Sequence, residues 1–453
     1  MTARCVLEIV LIALIAEMTM ASDVVTTQPG ASGDQTAAIQ AMLDQAAKAG
    51  GGEVRLPPGR HVVLGNLTVP TGVALSGSWE APHHGIVASG TVLEAYTGRG
   101  DEAAAAFITL RPSSAVRGLT VFYPQQRLDD IQPYPWTIHG EGMHNTIENV
   151  TLVNSYNGIA VGLEHSELHL IRNIFGCVLR RGVFIDNTTD IGRIENVHFN
   201  PHYWQRSRGE DAPQTMATAA YMQRNLEAFT FGRSDWQYVA NTFVFGAKIG
   251  YRFIKTKHGA CNGQFVGIGA DACQYPVVVD AMQPISLLIS NGEFVCLAMS
   301  GNEQLPYTGV VVGPEAVGGV QLVNCSWWGS FDHFVTHEAP ACRLSIAHAT
   351  MTGAKDTGIE LRSGMAYLED VLFNECRGLH VRVGPDVRGA VIRSIFNLGD
   401  EDVRIDNQAG AKAQLDIGPA SQPAGRNRPD SPPPPADGGR PTDPKPESSQ
   451  PPR

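Results

Sequence analysis

An all-β fold, a parallel solenoid closed at its N-terminal end by a helix, is what the sequence predicts, on three observations. Glycine supplies 48 of the 453 residues and charged side chains only 17%, a balance suited to many short strands and too poor in charged helix formers for a bundle. Short apolar strands recur along the chain with Asn, Asp or Gly at their ends. Asn149, Asn173 and Asn196 stand 24 and 23 residues apart, the length of one stacked coil.

The elements follow in chain order. Residues 1–21 read as a targeting segment, with Arg4 as the positive start, an apolar run over 6–16 and small residues at Thr19 and Ala21. The chain is therefore expected to be exported, to the periplasm or the extracellular space. Residues 34–49 read as an amphipathic helix that Asp34 caps, that Ile39, Met42 and Leu43 stripe, and that Gly50-Gly51-Gly52 ends. Strands are expected at 53–56, at 61–64 beyond the turn Pro57-Pro58-Gly59-Arg60, and again across 67–77. The solenoid domain spans 22–418. From Pro419 to Arg453 twelve of 35 residues are proline and almost none is apolar, so this tail is expected to be disordered.

Charge and cysteine usage exclude several classes. A net charge of −11 argues against a nucleic-acid partner. No apolar run long enough to span a membrane lies beyond the N-terminus. Removal of the targeting segment leaves seven cysteines with no CxxC pair, which fits neither a disulfide framework nor a zinc site. They are expected to be mostly buried apolar residues, with one or two disulfides possible.

The entry segments GDQTAAIQ, GGGEVRLPPGRHVV and VALSG resemble the opening of the pectate-lyase-like right-handed parallel β-helix superfamily. GTVLEAYTGRGDE and LRRGVFIDNTTDIGRIENVHFNPHYW are similar to a bacterial subgroup of it, of the rhamnogalacturonase/epimerase type related to glycoside hydrolase family 28. The resemblance implies a right-handed single-stranded parallel β-helix with an N-terminal capping helix. It is nearly silent on reaction, because the superfamily holds hydrolases, lyases, epimerases and phage tailspikes. Of the polygalacturonase motifs only Arg193-Ile194-Glu195 echoes one, and the epimerase DPHE motif is absent.

The coil period also says which side chains become neighbours. Recurrent asparagines at one corner are expected to stack their amides along the axis. Glu167, Asp190 and Asp235 each lie six residues before a corner asparagine (Asn173, Asn196, Asn241), so they are expected to form one column. Adjacent members would lie about 5 Å apart, a spacing that suits paired carboxylates in glycoside hydrolysis. Arg233 and Trp236 flank Asp235 and are read as substrate-binding, with a salt-bridged turn as the plain alternative. The insertion near 201–226 is expected to wall the groove.

Further candidates lie close by. Strand alternation sets Arg193, Glu195 and Val197 on one face and His198 on the other. Glu195 is an acid/base candidate, and Arg193 and His198 are substrate contacts; His202, Tyr203 and Trp204 open the insertion as a sugar-binding wall or as core. Asp271 and Glu293 offer carboxylates in later coils. Six arginines between Arg172 and Arg208 against three acidic residues make this stretch locally +3, which suggests an anionic glycan. The expected activity is cleavage of a polysaccharide by paired carboxylates, without a cofactor or a bound metal. The alternatives are a lyase, in which Ca²⁺ sits on the column and Arg193 or Arg233 abstracts a proton, and a non-catalytic glycan binder.

Overall fold

Each coil of the chain lays down three short strands, and every strand pairs in parallel with its counterpart one coil on. The computed structural model describes residues 33–80, 89–209, 211–399 and 401–418; the targeting segment and the Pro-rich tail lie outside them. In the central coils the first face is built from 146–148, 170–172, 193–195, 238–240 and 264–266. The second face carries 150–152, 174–176, 197–199, 243–245 and 269–271. The third carries 157–161, 181–185, 227–231, 249–253 and 275–279.

Inward side chains stack one per coil. Ile147, Ile171, Ile194, Val239, Phe265 and Ile289 form such a column under the first face, and all are buried. Val161, Ile185, Phe231, Phe253 and Val279 do the same under the third. Phe229 and Tyr251 stack with ring centroids 4.8 Å apart, at the coil repeat itself. Each fully buried side chain of this size stabilises the fold by about 1.5–3 kcal/mol, so the solenoid is held coil by coil.

The bend between the first and second faces explains the asparagines. Asn149, Asn173, Asn196, Asn241, Asn291 and Asn324 all sit at positive φ, between 52° and 56°, a conformation Asn tolerates and β-branched residues do not. Their amides form the expected ladder: Asn173 Nδ2 donates to Asn149 Oδ1 and Asn196 Nδ2 to Asn173 Oδ1, each at 2.8 Å, and Asn324 donates to Asn291 at 2.7 Å. The left-handed residue also resets strand alternation. Ile194 and Val197 therefore both point inward, and Val197 does not share the outward face of Arg193 and Glu195 as alternation alone predicts.

The helix Thr36–Lys48 buries Ile39, Met42 and Leu43 against the first coils. Asp34 accepts from the Thr36 and Leu64 N–H groups at 2.9 and 3.1 Å, and bonds from Thr36 and Leu64 hold its carboxyl below the usual range. Gly51, at φ 117°, lies just past the helix, where a Cβ would stand 2.6 Å from the Gly72 carbonyl oxygen. All seven cysteines of the described region are free, and six are buried. No helix among the described residues is long and apolar enough to cross a membrane.

One coil carries an insertion between its second- and third-face strands, with helices His202–Arg206 and Thr215–Asn225. Gln223 pins it. Its amide donates to the Ala272 and Leu297 carbonyls at 2.6 and 2.8 Å. Its oxygen accepts from Met299 N–H, Asn302 Nδ2 and the Tyr307 hydroxyl at 2.9, 2.9 and 3.2 Å.

Candidate functional site

Two clusters of carboxylates stand on different sides of the solenoid. The first holds the residues of the expected column, on the turn between the third and first faces. Ser166, Thr188 and Ser234 lie side by side before that turn, and Leu170, Arg193 and Tyr238 lie side by side after it. Thr188 to Arg193 spans one residue more than Ser166 to Leu170 or Ser234 to Tyr238. Thr189, one residue past Thr188, takes the place that Glu167 and Asp235 hold past Ser166 and Ser234, and its hydroxyl donates to Glu167 Oε1 at 2.5 Å. Asp190 lies one residue further on, so the extra residue of this turn displaces it from the expected column. Leu168 and Trp236, which follow Glu167 and Asp235, sit at φ 55° and 58°, whereas this turn places its left-handed residue at Asn187.

Each of these carboxylates is engaged within the turn. Asp235 accepts from Arg233 Nε at 2.9 Å and a second guanidinium nitrogen at 2.6 Å, and from the Gln283 amide. Asp190 Oδ1 accepts from the N–H of Ile191 at 2.9 Å. His165 Nε2 lies 3.5 Å from Glu167. The hydrogen bonds that Arg233 donates to Asp235 raise its pKa further, which unsuits that guanidinium for the proton-abstracting role of the lyase reading. Trp236 remains 55% exposed. The insertion does not wall this corner, because its anchors, the turns around Ala272 and Leu297, follow the second face.

Other expected residues have structural partners. Glu195 ends a column of alternating charge on the first face, Arg117–Glu148–Arg172–Glu195, in which Arg172 Nε donates to Glu148 at 3.0 Å. Arg193 is exposed on the same face. Trp204 is fully buried and Tyr203 nearly so, which removes both from the sugar-binding wall. His202 is half-buried at the start of its helix. The local excess of arginine disperses over the surface, since Arg172 turns to Glu148, Arg180 to the Asn225 carbonyl and Arg181 to Glu102. It forms no single anionic-ligand patch.

The second cluster lies on the second face, beside the insertion. His198 opens it: Tyr203 Oη is 3.0 Å from its Nδ1, and its ring meets Phe175 and Phe243 edge-on, at 6.4 and 5.0 Å between centroids. His198, Phe243, Gly269 and Glu293 follow one another in register along the axis. Asp271, in register with Phe245, lies on the next outward position. Ala272 beside it packs with Ala219 and Ala220 of the helix Thr215–Asn225 and with Met299. Asp271 thus sits at the foot of the insertion.

Burial is the main reason the Asp271 carboxyl is pushed above the usual range; the Ala272 N–H opposes it and the Glu293 charge adds to it. Its Oδ1 is buried without a hydrogen bond. Trp328 Nε1 donates to Glu293 Oε1 at 3.3 Å, and Trp328 is 43% exposed. The arrangement offers a carboxyl whose pKa is raised, a second carboxylate on the next coil and an open indole face. Sequence reading named Asp271, Glu293 and His198 but missed Trp328 and Gln223. The alternation within Trp327-Trp328, one buried and one exposed, was the available signal for Trp328.

No protein-family model matches this sequence, and a comparison with the curated proteins finds no similar one. Solved structures do match. The catalytic domain of a GH87 α-1,3-glucanase in complex with nigerose is 11% identical over 82% of this chain and 68% of that one, with a TM-score of 0.53. A single-residue variant of a GH87 α-1,3-glucanase catalytic domain gives the same identity and coverage and a TM-score of 0.54. The A-module of the Azotobacter vinelandii mannuronan C-5 epimerase AlgE6 is 14% identical, over 82% of this chain and 96% of its own, with a TM-score of 0.46. The likeness to the glucanase domains is one of fold: the chain is a right-handed parallel β-helix.

Proposed function

We propose that the protein is an exported carbohydrate-active enzyme that hydrolyses glycosidic bonds of a polysaccharide. Asp271 is the general acid and Glu293 its partner carboxylate. One observation carries this reading: the half-buried Asp271 at the foot of the insertion has one carboxyl oxygen buried without a hydrogen bond and a raised pKa, with Glu293 on the next coil and the exposed Trp328 on the one after. Two carboxyls in unlike environments divide the work of protonating the leaving oxygen and of activating water or attacking the sugar. Trp328 offers an apolar plane for a sugar face. The fold shared with a glucanase domain agrees with a glycan substrate, and residues 1–21 agree with export.

The test is a panel of neutral, uronic and sulfated polysaccharides incubated with the secreted protein. Hydrolysis predicts new reducing ends without the absorbance of a 4,5-unsaturated uronate. Appearance of that chromophore would replace hydrolysis by β-elimination, and tight binding without any product would make the protein a glycan binder.

A further inference from the structure

A third group of side chains belongs to neither cluster. His139 and Glu141 lie two residues apart on the third-face strand Trp136–Met143, with the buried Gly140 between them. Both therefore leave the strand on its outer side. Glu164 comes from the next coil, four residues beyond Ala160, which pairs with His139. One nitrogen of His139 and one oxygen each of Glu141 and Glu164 lie within 4.8 Å of one another.

The independent observation is the state of His139. The residue is 8% exposed, and its Nε2 is buried without a hydrogen bond. Yet this nitrogen stands 3.1 Å from Glu164 Oε2. An imidazole nitrogen and a carboxylate oxygen in contact, but out of line for N–H···O, have the disposition of two lone-pair donors converging on a cation. Glu141 is meanwhile held from outside by Arg111, which fixes the carboxylate as an outer-shell partner would.

We propose that His139, Glu141 and Glu164 bind a divalent transition-metal ion of the zinc or manganese type on the third face. Imidazole with two carboxylates suits such an ion, whereas Ca²⁺ favours oxygen ligands alone. Three protein ligands leave positions open, and the Glu164 side chain, 64% exposed, places them toward solvent. The site is on a different face from Asp271 and Glu293, so it stands or falls separately from the proposed hydrolysis.

Calorimetric titration of the chelator-treated full chain with Zn²⁺ alone tests this. One equivalent should bind, raise the thermal midpoint and bind more tightly than Ca²⁺. Glu164→Gln, which alters an exposed side chain and leaves the fold intact, should weaken Zn²⁺ at least tenfold. His139→Ala, checked for folding by circular dichroism, should do the same, and Glu167→Gln should not. Absence of saturable Zn²⁺ binding, unchanged affinity in both Glu164→Gln and His139→Ala, or tighter binding of Ca²⁺ would overturn the assignment.

Discussion

The corner column and the second-face cluster hold the same kinds of side chain and put them to different uses. At the corner, Asp235 spends its oxygens on Arg233 and Gln283, and Asp190 caps its own turn. On the second face, Asp271 Oδ1 has no hydrogen bond, and partial burial raises its pKa. The exposed tryptophans differ likewise, since Trp236 has no wall beside it whereas Trp328 bonds to Glu293. The comparison teaches that alignment of acids along a solenoid axis is a structural device as readily as a catalytic one. What separates the two is whether the carboxylates are already satisfied.

Substitution should separate the regions sharply. Asp271→Asn is expected to lower turnover by about two to four orders of magnitude, while Asp235→Asn keeps the wild-type rate within a few-fold; steady-state kinetics on one substrate reads both. Asp235→Asn should instead cost about 1 kcal/mol of stability through its lost ion pair. A corner variant as inactive as the second-face variant would return the chemistry to Asp190 and Asp235.

The two exposed-or-buried tryptophan readings come next in size. Trp204→Ala should destabilise by about 3–5 kcal/mol in urea unfolding, because the ring is fully buried. Trp236→Ala should change stability by less than about 0.5 kcal/mol. Gln223→Leu removes five hydrogen bonds to the turns beneath the insertion. It should cost about 2–3 kcal/mol and, in hydrogen exchange, loosen 202–225 before the solenoid itself.

The smallest effect is the pH dependence of stability. The folded Asp271 carboxyl has a raised pKa, so the folded state binds its proton more tightly than the unfolded chain does. That stabilisation is full below the ordinary Asp value of about 3.9 and is lost as pH rises through the folded pKa. Asp271→Asn should therefore be the more stable protein at neutral pH, with an advantage that vanishes on acidification through the folded pKa. Urea midpoints measured across that range check the sign. The alkaline limb of kcat/KM should track the same group.

Much of the fold is legible in the sequence because it repeats. The left-handed corner favours Asn, which fills it in the central coils, so spacing alone exposes the ladder from Asn149 to Asn196. The same spacing brings Glu167 and Asp235 to one place at their corner and misses the extra residue that displaces Asp190, and the Arg-x-Asp of Arg233 and Asp235 hints at their pairing. The second-face site is harder to see. The left-handed residue resets alternation, so which side chains face outward beyond it does not follow from period two. The turn that follows Asp271 is covered by a helix that starts 56 residues before Asp271, at Thr215, and docks through Gln223 on Ala272, a contact no local pattern announces.

The central claim is that substrate lies along the second face beside the insertion. A crystal structure of Asp271→Asn soaked with an oligosaccharide from the best polysaccharide of the panel tests it most directly. The account predicts a sugar ring against Trp328, with its glycosidic oxygen between residues 271 and 293. Density at the corner by Trp236 and Asp235, with the second face empty, would contradict it.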